Sequence, residues 1–524
     1  MNIDLWSVGK LRARDNRAIV ITIILLWVLG TLRVLPGLSD AVWQDEAATL
    51  LLYAKREFTY PFAVYPQPNN HMLFSGVLSL TWERGDTPVQ IRMLPLWTWF
   101  VTLVAITITA IRILGPRAGL IGLAVFCGSS VTEAFALELR GYAFSWPWIL
   151  LMAATVLPFV RGSNRPAGLA YGLGAVGCIA IMPTNVLAGG VCLSWAFFDR
   201  IFGRNSLPAG WQTRFAAALV FSVAGLGIYM GVLDDVRMHA AAAWSTWTNG
   251  CIFNHWFEST LGEFVWATPL MAAGLLASLW RLGRRQTHSQ VDPGTLLFLA
   301  LFTVIAVTLA LSPVALFPRT FVPLLPLWCL SVGGLISSGL DLLFNRWAFD
   351  RLKLAAGGAL GVFALGHFTP PCAGDLQNGS TDLCHQFYHQ EYFPARALAQ
   401  LNELLNGSNL PVMLDTEAAW ALGFEYWNRP GAVLRLFEYR NWASSVGGEV
   451  RPRFVVSPTP EGVTGMLQSI GFEAPRSINI LAESGYFKVY RIDWADASRQ
   501  MPSGKDITSL PLKSGRIKGD ANVD

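Results

Sequence analysis

The run Ala18-Ile19-Val20-Ile21-Thr22-Ile23-Ile24-Leu25-Leu26-Trp27 decides the fold class, because it opens an apolar segment that lasts to Leu38 and follows a basic start at Lys10, Arg12, Arg14 and Arg17. About 20 mostly apolar residues make a helix long enough to cross a bilayer. No small-residue cleavage site follows, so the segment reads as a first span and not as a removed signal peptide. Immediately after it stands Trp43-Gln44-Asp45-Glu46-Ala47, two adjacent carboxylates where a membrane protein has to account for its charge.

The composition agrees with this reading. Of 524 residues, 53% are hydrophobic and only 14% charged, with 21 Trp and 31 Phe; a soluble chain carries about 25% charged residues. A net charge of +4, dispersed in short clusters between apolar runs and not forming one basic face, is too small to argue for a nucleic-acid partner, and none is expected. Further apolar segments lie near 92–114, 118–137, 142–160, 167–182, 184–202, 213–233, 263–280, 294–311, 320–339 and 353–368. This predicts an α-helical polytopic membrane protein of about eleven transmembrane helices.

Lys and Arg accumulate on the cytoplasmic side. The N-terminus, Arg112/Arg117, Arg161/Arg165, Arg200/Arg204/Arg214, Arg281/Arg284/Arg285 and Arg346/Arg351/Lys353 fall on one face, and Asp45/Glu46, Glu138, Asp234/Asp235 and Glu258 on the other. The N-terminus is then cytoplasmic, and everything after Phe368 is periplasmic or extracellular, at a bacterial inner membrane. The domains expected are a membrane module over 1–368 with a first outer loop at 39–89, a small α/β domain over 369–497 and a disordered tail over 498–524.

Within the first outer loop, Ala47–Tyr53 and Met72–Trp82 are too short to cross and suit the membrane interface or packing on the bundle. A later outer loop carries His239, Trp244, Trp247, His255 and Trp256, as interfacial anchors or as a grip on lipid or sugar. In the C-terminal region Pro394–Leu405 reads as a helix, and Pro411–Leu414, Phe454–Ser457 and Phe487–Ile492 as strands. Cys372 and Cys384 fall in that polar region, where the question of a disulfide is open; no zinc-like CxxC spacing occurs.

Polar groups held at the outer ends of spans are where chemistry can occur, since deeper charges are costly. Asp45, Glu46, Asn69, Asn70, His71, Arg92, Glu133, Glu138, Arg140, Tyr142 and Arg319 all fall on that side. Their types suit transfer of a sugar from a lipid phosphate, with a carboxylate taking the proton of an attacking hydroxyl and guanidinium groups holding the departing phosphate. Asp45 is the expected base, and Arg140 and Arg319 the expected phosphate binders. Glu46, Asn70, His71, Arg92, Glu138, Tyr142 and His255 are expected to bind acceptor or donor. Duller roles exist for each: Asp45 as cap of a helix beginning at Ala47, Glu138–Arg140 as a structural ion pair, Arg319 as a snorkelling charge.

At these residues the chain resembles the GT-C membrane glycosyltransferases, in the branch of protein O-mannosyltransferases and aminoarabinose transferases. Asp45-Glu46 follows the first span, and Asn69-Asn70-His71-Met72-Leu73 stands at the place of a His-Pro-Pro-Leu-like element. Ile91-Arg92-Met93-Leu94-Pro95 opens the next span, Glu138-Leu139-Arg140-Gly141-Tyr142-Ala143 matches a Glu-x-Arg-x-Tyr-like element, and Pro318-Arg319-Thr320-Phe321-Val322-Pro323 a late Arg-Tyr-x-x-Pro-like one. Met72 and Gly141 replace prolines of that pattern, and Thr320-Phe321 interrupts its Arg-Tyr pair. The resemblance implies inverting transfer from a polyprenyl-phosphate-linked sugar, in contact with membrane lipids, to a glycan, lipid or protein acceptor on the outer face. Metal use is left open, with Asp45, Glu46 and His71 the set that would hold a divalent ion. A lipid or solute transporter is the alternative, although the charges gather at one face and no paired halves are visible.

Overall fold

A computed structural model of the chain describes residues 13–65, 70–162, 165–202, 209–236, 267–283, 292–311, 318–344, 358–363, 394–405, 410–428, 435–447, 450–484 and 487–495. The helices, in chain order, begin with α1 (Ala13–Val34), α2 (Gln44–Ala48), α3 (Tyr60–Ala63), α4 (Met72–Leu78), α5 (Pro88–Ile91) and α6 (Met93–Gly128). They continue with α7 (Ser130–Ala136), α8 (Gly141–Val160), α9 (Arg165–Ile181), α10 (Val186–Phe202), α11 (Trp211–Ala224), α12 (Thr268–Gly283), α13 (Pro293–Leu311) and α14 (Leu325–Phe344). Three more, α15 (Pro394–Leu405), α16 (Thr416–Asn428) and α17 (Pro460–Ser469), alternate with five strands.

Among the described residues, six helical stretches are long and apolar enough to cross a membrane, and Pro166–Ile181 and Thr268–Trp280 are shorter apolar helices. Apolar side chains repeat outward along them: Val20, Ile24, Val28 and Leu32, one turn apart on α1, are all about half exposed. Such stripes are stable only against lipid, so this is an integral membrane protein. Two of the expected segments, 92–114 and 118–137, meet in α6, where Gly115 at φ 78° breaks the helix ahead of Pro116. Proline removes a backbone donor and glycine alone accepts that left-handed geometry cheaply, so the break is written locally.

The described residues divide into two compact units, one within Met1–Leu38, Thr59–Val77 and Arg92–His385, the other within Ser39–Phe58, Leu78–Ile91 and Gln386–Asp524. The sequence reading grouped 39–89 with the membrane module, whereas its two outer pieces, 39–58 and 78–91, cluster with the C-terminal region.

In the membrane unit, α14 is the central post: nearly all residues along the apolar part of Thr320–Leu342 are buried. Small residues let its neighbours approach. A Cβ on Gly334 would stand 2.7 Å from Cα of Gly294 on α13, one on Gly333 would overlap the Gly122 backbone of α6, and one on Gly339 would overlap Leu270 O of α12. Between apolar helices in lipid, where burial from water gives no drive, this close van der Waals contact supplies the association. On α1, Arg33 is drawn to α7 by a 2.6 Å ion pair with Glu133 and to the end of α6 by donation to Gly128 O. Glu133, one of the candidate polar groups, therefore ties two helices together.

The second unit is an α/β layer structure. Its sheet runs β2 (Arg435–Glu438), β1 (Pro411–Leu414), β3 (Phe454–Ser457), β5 (Phe487–Asp493), β4 (Ser477–Ser484). β1 is parallel to β2 and β3, whereas β5 is antiparallel to β3 and β4. On one face, α15 and α16 pack Leu398, Leu401, Ala418 and Leu422 against Val412, Leu414 and Val456; on the other, Val463, Met466 and Leu467 of α17 cover Met413, Val455 and Tyr490. β1 and β3 are buried along their whole length, as central strands of a covered sheet should be.

Enlarging the tight glycine contacts should loosen the membrane unit. Gly333→Leu is expected to cost about 1–3 kcal/mol through overpacking, read as a lowered Tm of the solubilised protein, whereas the exposed Leu169→Ala on α9 should leave Tm close to wild type.

Candidate active site

The short link Leu137–Arg140 between α7 and α8 carries the first group of site residues. Arg140 is in extended conformation as the residue before α8 and is 2% exposed; Glu138, 5% exposed, lies with Oε1 3.6 Å from Arg140 Nη1. The guanidinium carbon sits 4.8 Å over the ring of Tyr142. A buried cation needs an opposite charge or an aromatic face to offset its lost hydration, and Arg140 has both. The Glu138–Arg140 pairing raised from the sequence is thus present, at a separation longer than a hydrogen bond.

Tyr142 turns the same cluster toward the first loop. Its ring meets His71 edge-on, with centroids 5.0 Å apart at 71°, and Phe135 at 5.3 Å. His71 is 2% exposed. Its neighbour Asn70 fixes the approach to α4, donating through Nδ2 to Pro61 O at 2.6 Å and Val64 O at 3.0 Å. Gly141 lies underneath: a Cβ there would come 2.8 Å from His71 Nδ1 and would overlap Ile181. That close approach is the physical reason for glycine where the related pattern has proline.

Two further features hold the start of α8. Asn185, between α9 and α10, donates through Nδ2 to Ser145 Oγ and to Cys178 O, both at 2.8 Å, and Ser145 Oγ donates to Gly141 O at 2.8 Å. Sequence reasoning did not select Asn185; its signal was the break at Pro183-Thr184-Asn185 between apolar segments. Trp146 donates through Nε1 to Val322 O at 3.2 Å, which brings the helical turn Pro318–Leu324 against α8. Arg92 is buried at the start of α6.

Asp45 and Glu46 belong to the second unit. The helix starts at Gln44, one turn earlier than the reading that made Asp45 a cap for a helix from Ala47. Asp45 lies half-buried inside the first turn, where a carboxylate also suits the helix dipole. The backward cap is made by Glu46, which is 1% exposed and accepts a 3.2 Å bond from the Trp43 N–H. Thr49 Oγ1 donates to Asp45 O at 3.0 Å. Past Ala48 the helix widens into a π turn over Thr49–Ala54, a form found frequently near functional sites.

Asn69, His255, Cys372, Cys384 and the side chain of Arg319 lie outside the described residues. Among the described residues, no group of three or more His, Cys, Asp or Glu is placed to hold a metal ion.

Two solved structures share this architecture. The crystal structure of apo ArnT from Cupriavidus metallidurans matches with a TM-score of 0.53 at 13% sequence identity, covering 94% of this chain and 100% of that one. The structure of the same protein bound to undecaprenyl phosphate matches with a TM-score of 0.52 at 14% identity, covering 92% and 99%. The chain therefore shares the fold of ArnT. No protein-family model and no curated protein sequence matches it.

The cluster around Gly141 leaves no room for a methyl group. Gly141→Ala is expected to destabilise the protein by about 1–3 kcal/mol, seen as a fall in Tm, and Asn185→Ala by a similar amount because the Cys178 carbonyl loses a buried donor.

Proposed function

We propose that the chain is an inverting glycosyltransferase that moves a sugar from a polyprenyl-phosphate donor to an acceptor hydroxyl on the outer face of a bacterial inner membrane. The observation that carries this reading is the match over nearly the whole chain to a GT-C structure, one form of which holds undecaprenyl phosphate. The buried Arg140–Tyr142–His71 cluster supports it, because it places a fixed cation beside polar aromatic groups at the start of an apolar span.

In this reaction Asp45 takes the proton of the acceptor hydroxyl as that oxygen attacks the anomeric carbon. The new glycosidic C–O bond forms as the bond from that carbon to the phosphate oxygen breaks, with inversion, and the electron pair leaves on the polyprenyl phosphate. Arg140 and Arg319 hold the departing phosphate. A guanidinium has five N–H donors in a planar fork, more than one carboxylate can use, so Glu138 can orient Arg140 while the arginine binds phosphate oxygens. Asn70, His71, Arg92, Tyr142, Glu46 and His255 are proposed to shape the donor and acceptor sites. A topology of about eleven spans, with the N-terminus cytoplasmic and the C-terminal domain outside, belongs to the same proposal.

Mass spectrometry of lipids copurifying with the protein is expected to find a polyprenyl phosphate or its sugar conjugate. Asp45→Asn should lower turnover with that donor by ~10²–10⁴ while donor still copurifies; wild-type turnover in this variant would overturn the assignment of the base. Arg140→Lys, which keeps charge but loses the planar fork, should also lose most activity, with Tm within a few degrees of wild type.

A further inference from the structure

The helix that carries Asp45 is anchored in the hydrophobic interior of the C-terminal α/β domain. Trp43, two residues before Asp45, is 7% exposed and belongs to the same buried cluster as Leu401 of α15, Ala418 and Leu422 of α16 and Val456 of β3, with Ala41 packed beside it. The far end of the same segment is held as well. Trp82 donates through Nε1 to Ala54 O at 3.1 Å, closing the π turn that follows α2, and its ring lies 6.3 Å from Phe424 and 5.6 Å from Trp427 on α16.

The turn after Trp82 completes the end of α16. Asn428 Oδ1 accepts from the Gly85 N–H at 2.7 Å and its Nδ2 donates to Asp86 O at 3.0 Å. Arg84 Nε donates to Trp427 O at 2.6 Å, and its guanidinium carbon stands 5.2 Å over the Trp427 ring. The last carbonyls of a helix have no partner within it, so the loop supplies what α16 lacks. Gly85, at φ 98°, permits the tight turn that presents its N–H.

We propose that α16 is a positioning post for the Asp45 loop, and that Trp43 and Asn428 are positioning residues for the transfer step. Trp43 fixes the start of α2, and Asn428, through the 83–86 turn and Trp82, fixes the end of the segment. The proposal rests on the reading of Asp45 as base. It assigns the C-terminal domain the task of holding that carboxylate in register, since a misplacement of about 1 Å is enough to lose about a hundredfold in rate.

The test uses full-length protein in lipid nanodiscs with its copurified donor, in the variants Trp43→Ala, Trp43→Phe and Asn428→Ala, read by steady-state kinetics and amide hydrogen exchange. Trp43→Ala and Asn428→Ala are expected to lower kcat by about tenfold to a hundredfold with donor KM within about twofold. Exchange should rise across 39–58 while β3 and β5 stay protected. Trp43→Phe, which keeps an aromatic ring in the cluster, should recover most of kcat. Unchanged kcat with 39–58 opened, or unchanged protection of 39–58 in both alanine variants, overturns the proposal. So does protection lost from β3 and β5 together with the loop in Asn428→Ala, since the contacts then serve only the domain's stability. Full turnover in Asp45→Asn instead overturns the base assignment, and the exchange results still decide whether α16 holds the loop.

Discussion

A buried guanidinium sets the terms for the membrane unit. Arg140 cannot be taken from water without compensation, and each nearby feature answers that requirement. Glu138 supplies the opposite charge and the Tyr142 ring a π face, and Tyr142 in turn is packed by His71 and Phe135. The helix that begins after Arg140 is then held by the Asn185–Ser145 bonds and by the Trp146 bond to Val322. The glycine at 141 follows from the same crowding, because His71 and Ile181 occupy the place of its side chain. A charge this well packed is fixed before any ligand arrives, the condition that the role proposed for Arg140 would require.

The second unit solves a different problem. Asp45 stands in a five-residue helix, and a helix that short has no stability of its own in water. It exists because Trp43 is sunk into an α/β core and because Glu46 caps its first turn. The domain that looks like an appendage in sequence order therefore shares its interior with the loop after the first span.

Much of the architecture was legible in the chain. The span in α1, the break between the two arms of α6 and the cation beside Tyr142 could be read because they depend on local composition, on Gly115-Pro116 and on residues two apart. The same holds for α15, β1, β3 and β5, each marked by its own apolar pattern. β2 and β4 escaped notice because edge strands are half-exposed and carry no continuous apolar run. The helix α16 escaped altogether: its start is capped by Asp415, and its end is completed by a loop more than three hundred positions away.

By itself, the sequence determined that the chain is a membrane protein of many helices with polar residues at the ends of its apolar runs, since partition between lipid and water depends on composition over about 20 residues. Only the tertiary structure decided that Trp43 joins α16 across more than three hundred positions, that Glu133 pairs with Arg33, and that Glu46 turns back on its own helix. Those outcomes depend on which side chains fill the same volume or meet within hydrogen-bond reach, and contacts between distant segments leave no periodic mark on either one.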